Sequence, residues 1–234
     1  MNFKTHFLVL AIASGGLAYS ALNAGTALAG CSDYPAPKVD WSGCRKRNAD
    51  LRDNDFSNAN LKNLDAVGSD LRATMFDGAD FERAAMTRVN ASQASMKNVN
   101  FTKVEAGRAK FIQAKLNNSN FEKSVMFRGD FTQADLSGAN LNKSEFSRSN
   151  FTDANLSGAH IGFANIARAN FKGANLKGAS FQTTWMYLTR FAGVDLSETV
   201  NLTQVQIDIA CGDEKTKLPA GLTAPASWPC KFEE

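Results

Sequence analysis

The sequence has little of what catalytic chemistry usually requires. It contains two histidines among 234 residues, and His160 alone lies beyond the N-terminal segment. We find no histidine and cysteine spacing typical of a zinc site, and no glycine-rich loop that could cradle a phosphate. The sequence therefore predicts a protein that is not an enzyme and that uses no cofactor.

A strong excess of charge of either sign is also missing. The formal net charge is +3, from 26 Lys and Arg against 23 Asp and Glu. A balanced surface argues against a nucleic-acid partner held by neutralisation of phosphates. It argues equally against a strongly acidic surface that imitates DNA. We therefore expect no nucleic-acid partner.

Cysteine is absent from the long central part of the chain. The four cysteines are Cys31 and Cys44 near one end and Cys211 and Cys230 near the other. In an oxidising compartment such cysteines pair with their neighbours. We expect the disulfides Cys31–Cys44 and Cys211–Cys230.

The N-terminus has the features of a secretory signal. Lys4 supplies a positive charge, residues 7–21 are apolar or small, and residues 27–29 read Ala-Leu-Ala, a small-x-small cleavage site. Gly and Ser dilute the apolar stretch, which falls short of the roughly 20 strongly apolar residues of a membrane span. Residues 1–29 are therefore predicted to be a signal peptide, and the protein to be periplasmic or secreted from a bacterium.

An alternative reading of this region is a lipid anchor. Residues 28–31 read Leu-Ala-Gly-Cys, which is similar to a bacterial lipobox with Cys31 as the lipidated residue. Lipidation would leave Cys44 unpaired, and the polar gap before Cys31 is long for a lipobox. We favour soluble export, with a membrane-anchored lipoprotein as the alternative; membrane contact is expected only in that case.

An uninterrupted repeat of five residues runs through the chain. Every fifth residue from Leu51 to Leu196 is apolar, which makes thirty consecutive positions that include twelve of the 17 phenylalanines. Two positions before each of these, the residue is nearly always small, and Asp or Asn often lies between. A helix would spread this series around all its sides, and a straight strand would alternate it between two faces. A chain that turns a corner every five residues buries the whole series.

The repeat resembles the pentapeptide-repeat family. Residues 134–138, Ala-Asp-Leu-Ser-Gly, and residues 154–158, Ala-Asn-Leu-Ser-Gly, are consensus repeats of that family, and the resemblance covers about residues 39–196. It implies an all-β fold, a right-handed quadrilateral β-helix with four repeats per coil. Central residues twenty positions apart do sort into phenylalanine-rich and leucine-rich columns, which independently supports a coil of twenty residues.

The ends of such a solenoid need covers, because open coils expose apolar side chains and unpaired backbone groups. Lys46 interrupts the apolar register, so residues 30–48 are predicted to be an N-terminal cap. Residues 49–198 form the β-helix, and residues 199–234 form a C-terminal cap with a short helix and a disulfide-stapled loop.

Outward positions are mostly polar, with exceptions on one side of the coil. We call it the fourth side; its central residues are Ala66, Met86, Ala106, Met126, Phe146, Ile166 and Met186. Exposed apolar clusters often mark an interaction surface. The possible interaction face consists of Val67, Val125, Phe127, Phe163, Trp185 and Tyr187. The alternative is that the C-terminal cap covers Trp185 and Tyr187.

These observations predict an exported, non-catalytic interaction or structural scaffold of the cell envelope. Its expected partner is a protein or a second copy of the chain in a homodimer. A lipid-anchored envelope protein held through Cys31 is the alternative. Some members of the resembled family imitate DNA and protect topoisomerases; that role is less favoured here, because it needs an acidic surface and a cytoplasmic location.

Overall fold

The computed structural model describes residues 30–230, so the predicted signal peptide and cleavage site lie outside the described residues. Each five-residue repeat forms a two-residue turn followed by a single bridging residue. The parallel bridges between Asp40↔Asn60 and Ser180↔Val200 all join residues twenty positions apart. Four repeats therefore close one coil, and the stacked coils form the predicted right-handed quadrilateral β-helix.

Bridges of one residue take the place of longer strands throughout residues 30–230. The helix α1, Gln204–Ile209, is the single α-helix of this part of the chain. No helix within the same residues is long and apolar enough to cross a membrane. The coil is thus held together mainly by backbone hydrogen bonds between successive layers, with donor–acceptor distances near 2.7–3.2 Å.

The core is the column of central residues together with the small residues that lie two positions before them. One side of the coil stacks five phenylalanine rings, with centroids 4.8–5.3 Å apart, from Phe111 to Phe191. The rings are nearly parallel because the backbone layers beneath them repeat at about 4.8 Å. Like residues therefore stack on like, as the twenty-residue sorting of the sequence indicates.

The residue just before each central residue has two hydrogen-bonding roles, which explains why it is so often Asp or Asn. Its side-chain oxygen accepts the N–H two positions later, as Asp135 does from Ser137 at 3.1 Å, which favours the turn. An Asn there also donates to the same position one coil earlier, as Asn155 does to Asp135 at 3.0 Å. A ladder of side-chain bonds thus runs along the outside of the rod.

Buried hydroxyls link the coils from the inside. Ser119 donates to the carbonyl of Met96 at 2.6 Å and accepts the N–H of Val99 at 3.1 Å. Thr184 and Thr189 donate to carbonyls in the same way, each 23 residues earlier. From the sequence this position was described only as small, so the hydrogen-bonding role of its Ser and Thr residues is a finding of the structure.

We expect Ser119→Ala to lower the free energy of unfolding by about 1–2 kcal/mol, because a buried N–H and a carbonyl lose a partner. The matched control is Ser157→Ala, which removes a hydroxyl from the outer surface and should change stability by less than about 0.5 kcal/mol. Chemical denaturation of both variants checks this. Equal stability of the two variants would show that the internal hydroxyl is dispensable.

Lys46 interrupts the apolar register but not the coil. Bridges at Asp40 and Arg45 join the next coil, so the coil backbone continues through Lys46. The Lys46 ammonium lies 3.7 Å from the ring centroid of the buried Trp41 and donates to the carbonyl of Cys31 at 2.8 Å. Trp41 thus fills the end of the core, and the lysine covers its open side.

The predicted disulfides are present at both ends. Cys31–Cys44 and Cys211–Cys230 have Cα–Cα distances of 5.4 and 5.5 Å. The first ties the chain entering the rod to the first coil. The second closes the loop that follows α1, in which the indole N–H of Trp228 donates to the carbonyl of Ala210 at 2.8 Å.

Helix α1 closes the C-terminal end with a buried amide. Gln206 Nε2 donates to the carbonyls of Phe181 and Thr184 at 2.8 and 3.0 Å. At the equivalent position one coil earlier, the carbonyl of Ala164 accepts a hydrogen bond from the backbone N–H of Trp185, 21 residues later. Gln206 therefore supplies the donor that another coil would have supplied, and the ladder ends without an unpaired carbonyl at Thr184.

Candidate interaction face

Five of the six predicted face residues are exposed large apolar side chains. The exposed fractions are 37% for Val125, 39% for Phe127, 54% for Phe163, 55% for Trp185 and 44% for Tyr187. Val67 is half-buried. The fourth side thus has an apolar character that its polar neighbours do not share.

Trp185 and Tyr187 form the largest exposed aromatic group of this face. Their ring centroids are 6.4 Å apart, and the ring planes differ by 21°. The backbone of Trp185 is held by its parallel bridge to Asn165 and by the hydrogen bond that its backbone N–H donates to the carbonyl of Ala164 at 2.9 Å. Residues 199–230 leave both rings exposed, so the C-terminal segment does not cover them.

Phe127 lies against the coil below it. A Cβ atom added at Gly107, the equivalent position one coil earlier, would come within 2.3 Å of the ring. Gly107 therefore provides the space in which the ring rests, which holds its remaining exposed surface in a fixed place. Val125 is the exposed neighbour of Phe127 in the same repeat.

The structure brings the predicted residues together as two separate pairs. Val125 and Phe127 lie near the middle of the rod, and Trp185 and Tyr187 lie three coils further on, about 14 Å away along the axis. Val67 lies three coils in the other direction and contacts neither pair. Apolar residues outside the fourth side, such as Met75 and Val205, are also exposed.

Two corners of the coil that border the fourth side are basic, a feature that the net charge conceals. One corner carries Arg83, Lys103, Lys123 and Lys143, and the other carries Arg88, Arg108, Arg128, Arg148 and Arg168. Sorting charged residues at a spacing of twenty would have found both columns in the sequence.

The first of these corners is partly neutralised by carboxylates. The ammonium of Lys143 lies 3.2 Å from Glu122, and Lys123 lies 3.6 Å from the same carboxylate. The hydrogen bond from Lys143 is the main reason that the pKa of Glu122 lies below its ordinary value. Arg83 lies 3.8 Å from Glu82. This corner is therefore a row of ion pairs.

The residue types that most often hold metals or lipids are accounted for in the described part of the chain. No group of three or more His, Cys, Asp or Glu residues is placed to hold a metal ion in residues 30–230. His160 is exposed on the outer surface. All four cysteines are in disulfides, and the Cys31 sulfur that a lipid anchor would need is bonded to Cys44.

Solved structures with the same fold include HetL, a pentapeptide-repeat protein involved in heterocyst differentiation regulation from the cyanobacterium Nostoc sp. strain PCC 7120. The match has a TM-score of 0.55 and 19% identity, and covers 76% of this chain and 86% of that one. QnrB1, a plasmid-mediated fluoroquinolone resistance protein, matches with a TM-score of 0.48, 18% identity, and coverage of 79% and 89%. At these identities the likeness concerns the fold alone. The comparison with curated proteins gave no match.

Two family models match the sequence itself. The model described as a pentapeptide repeat region matches residues 106–181, and the model described as pentapeptide repeats (8 copies) matches residues 67–102 and 164–204. Together they cover more than half of the chain, within the part that the structure shows as stacked coils. The chain belongs to the pentapeptide-repeat family.

Proposed function

We propose that this protein is an exported, non-catalytic scaffold of the bacterial cell envelope that binds a protein partner, or a second copy of itself, through its fourth side. The observation that carries the proposal is the exposed, stacked pair of Trp185 and Tyr187 on a backbone hydrogen-bonded on both sides. The two disulfides support an oxidising compartment.

Aromatic side chains on a rigid support suit binding for two physical reasons. Trp and Tyr are the residues most often found to dominate the energy of protein interfaces. Side chains that are already held in place lose little conformational freedom when a partner arrives, so more of the burial energy becomes affinity. The pair formed by Val125 and Phe127 extends the same side by a second anchor point.

The two alternatives have less support. A lipid anchor would require the Cys31 sulfur, which is part of a disulfide. Imitation of DNA would require an acidic surface, whereas the corners beside the fourth side are lined with Arg and Lys. The export itself rests on the sequence of residues 1–29 together with the disulfides.

The proposal predicts that Trp185→Ser with Tyr187→Ser weakens association about thirtyfold, because each ring is expected to be a dominant contact. Association is measured as the monomer–dimer equilibrium by sedimentation, and as the amount of partner retained from an envelope extract. The matched control is Asn175→Ser with Lys177→Ser, which changes the same two repeat positions on the opposite side.

A loss shared by both double variants would indicate damage to the rod rather than to an interface. Unchanged association in the aromatic variant, for self-association and for every retained partner, would remove the fourth side as the binding surface. Mass spectrometry of the mature N-terminus separates the remaining alternative, since an acylated Cys31 would contradict soluble export.

A further inference from the structure

Five arginines form a straight row along one corner of the rod. Arg88, Arg108, Arg128, Arg148 and Arg168 occupy the same position of the repeat, each one coil after the last. We call this row the arginine edge. Their backbone N–H groups all donate to the next coil, at 2.8 to 3.0 Å, so the row is held in register. Four coil steps of about 4.8 Å make it about 19 Å long.

The guanidinium groups of the arginine edge have no partner of their own. All five side chains are exposed, and none lies within 4.0 Å of a carboxylate oxygen in residues 30–230. Other arginines of the rod do find partners, since Arg52 lies 2.6 Å from Asp50 and Arg72 lies 2.6 Å from Asp70. The edge is therefore a concentrated positive charge that the protein leaves open to a ligand.

The columns on either side of the edge add almost no opposing charge. On the fourth side the neighbouring column is Thr87, Gly107, Phe127, Ser147 and Ala167, which carries no charge. On the other side the column contains one cation, Lys110, and one carboxylate, Asp130, among asparagines. A strip with six cations and one carboxylate thus exists on a chain whose total charge is close to balanced.

The backbone at this corner is left-handed, a conformation that Asn adopts with less strain than Arg. The five residues have φ between 55° and 61°, in the left-handed region that suits Gly and Asn and is strained for other side chains. The diagonally opposite corner has the same conformation and contains only these favoured residues. They are Asn58, Gly78, Asn98, Asn118, Gly138, Gly158 and Gly178. The other two corners also have this conformation and carry other residues, among them Gln93, Gln113, Lys103 and Lys123, so the backbone strain does not set the arginine edge apart.

We propose that the arginine edge binds a linear acidic polysaccharide, one that carries a carboxylate on successive sugar units, lying along the axis of the rod. Arginine pairs with carboxylates through two parallel hydrogen bonds, which makes it the best residue for this ligand. A row of cations at regular spacing matches a chain of regularly spaced anions. This inference does not depend on the aromatic pairs of the fourth side.

Two other polyanions fit the geometry less well. The phosphates of a nucleic-acid duplex wind around a helix and would leave a straight row after a few contacts. Single strands usually need successive aromatic platforms, whereas the rings in the column beside the edge, Phe127 and Tyr187, are three coils apart. The disulfides also indicate an oxidising compartment, outside the cytoplasm where nucleic acids are found. A planar anionic membrane laid on the fourth side would meet the carboxylates of Glu105 and Glu145.

The test measures binding of the mature chain to size-fractionated polygalacturonate, with its fully methyl-esterified form as an uncharged polymer of the same backbone. We expect binding to the charged polymer alone, weakening as salt is raised. Arg128→Asn with Arg148→Asn should reduce affinity about tenfold, given the strength of exposed ion pairs. The control Lys97→Gln with Lys115→Gln removes two unpaired cations from another side and should change affinity less than about twofold.

Asparagine is chosen because it tolerates the left-handed backbone, so the double variant should melt at the same temperature as the parent or higher. Weaker binding at undiminished stability supports a site, whereas a lower melting temperature would show that the arginines serve the fold. Equal loss in both double variants would overturn the edge as the site. Tighter binding to oligothymidylate or to phosphatidylglycerol vesicles than to polygalacturonate would overturn the polysaccharide assignment, as would no binding at all.

Discussion

Phe131→Ala should lower the free energy of unfolding by about 3–5 kcal/mol, the range for removing a large buried aromatic side chain. Phe131 is fully buried, with ring centroids 5.0 Å away at Phe111 and Phe151 and 5.5 Å away at Phe146. The loss should lie in the upper part of the range because neighbouring layers are tied to one another by backbone hydrogen bonds and cannot close over the cavity.

The same chemical change on the outside serves as the control. Phe127 lies four residues earlier, but its ring is 39% exposed and rests on Gly107. We expect Phe127→Ala to cost less than about 1 kcal/mol, because only part of the ring leaves an apolar environment. Denaturant titration of both variants measures the difference. Similar losses at the two positions would contradict the assignment of Phe131 to the central column.

A chain that ends at Thr203 should aggregate. This truncation removes Ile207, Ala210 and Cys211, all nearly fully buried, and so opens the last layer of the core to water. It also removes Gln206 from the carbonyls of Phe181 and Thr184. Bare coil ends present apolar side chains and unpaired backbone groups that associate with other chains. Light scattering after size-exclusion chromatography should show large aggregates.

The control for this truncation keeps the whole cap and removes only its covalent closure. Cys211→Ser with Cys230→Ser opens a loop that spans 19 residues, which should lower the free energy of unfolding by about 3 kcal/mol. This variant should not aggregate because α1 remains in place over the core. A chain ending at Thr203 that keeps the oligomeric state of the parent would show that α1 is not needed as a cover.

The cap details illustrate where sequence reasoning stops. The local disulfide pairs and a short helix in the C-terminal cap are predictable, and the structure has both disulfides and places α1 at Gln204–Ile209. The contact between Lys46 and Trp41 is not predictable, because no repeat determines how a terminal segment folds back. Lys46 interrupts the apolar register while the backbone stays in the coil, since a polar side chain at the end of a coil can point out over the core.

For this protein the sequence by itself determines the coil. An apolar residue at every fifth position can be buried by a chain that turns a corner every five residues, and the sorting of phenylalanine and leucine at a spacing of twenty supports the four corners per layer that the family resemblance implies. The tertiary structure alone decides which outward residues become neighbours and which remain exposed. The structure leaves Trp185 and Tyr187 uncovered by the C-terminal segment, packs Phe127 into the space at Gly107, and leaves the arginine edge without carboxylate partners in residues 30–230. These contacts depend on how layers superpose in space, which a balanced net charge and a five-residue repeat do not express.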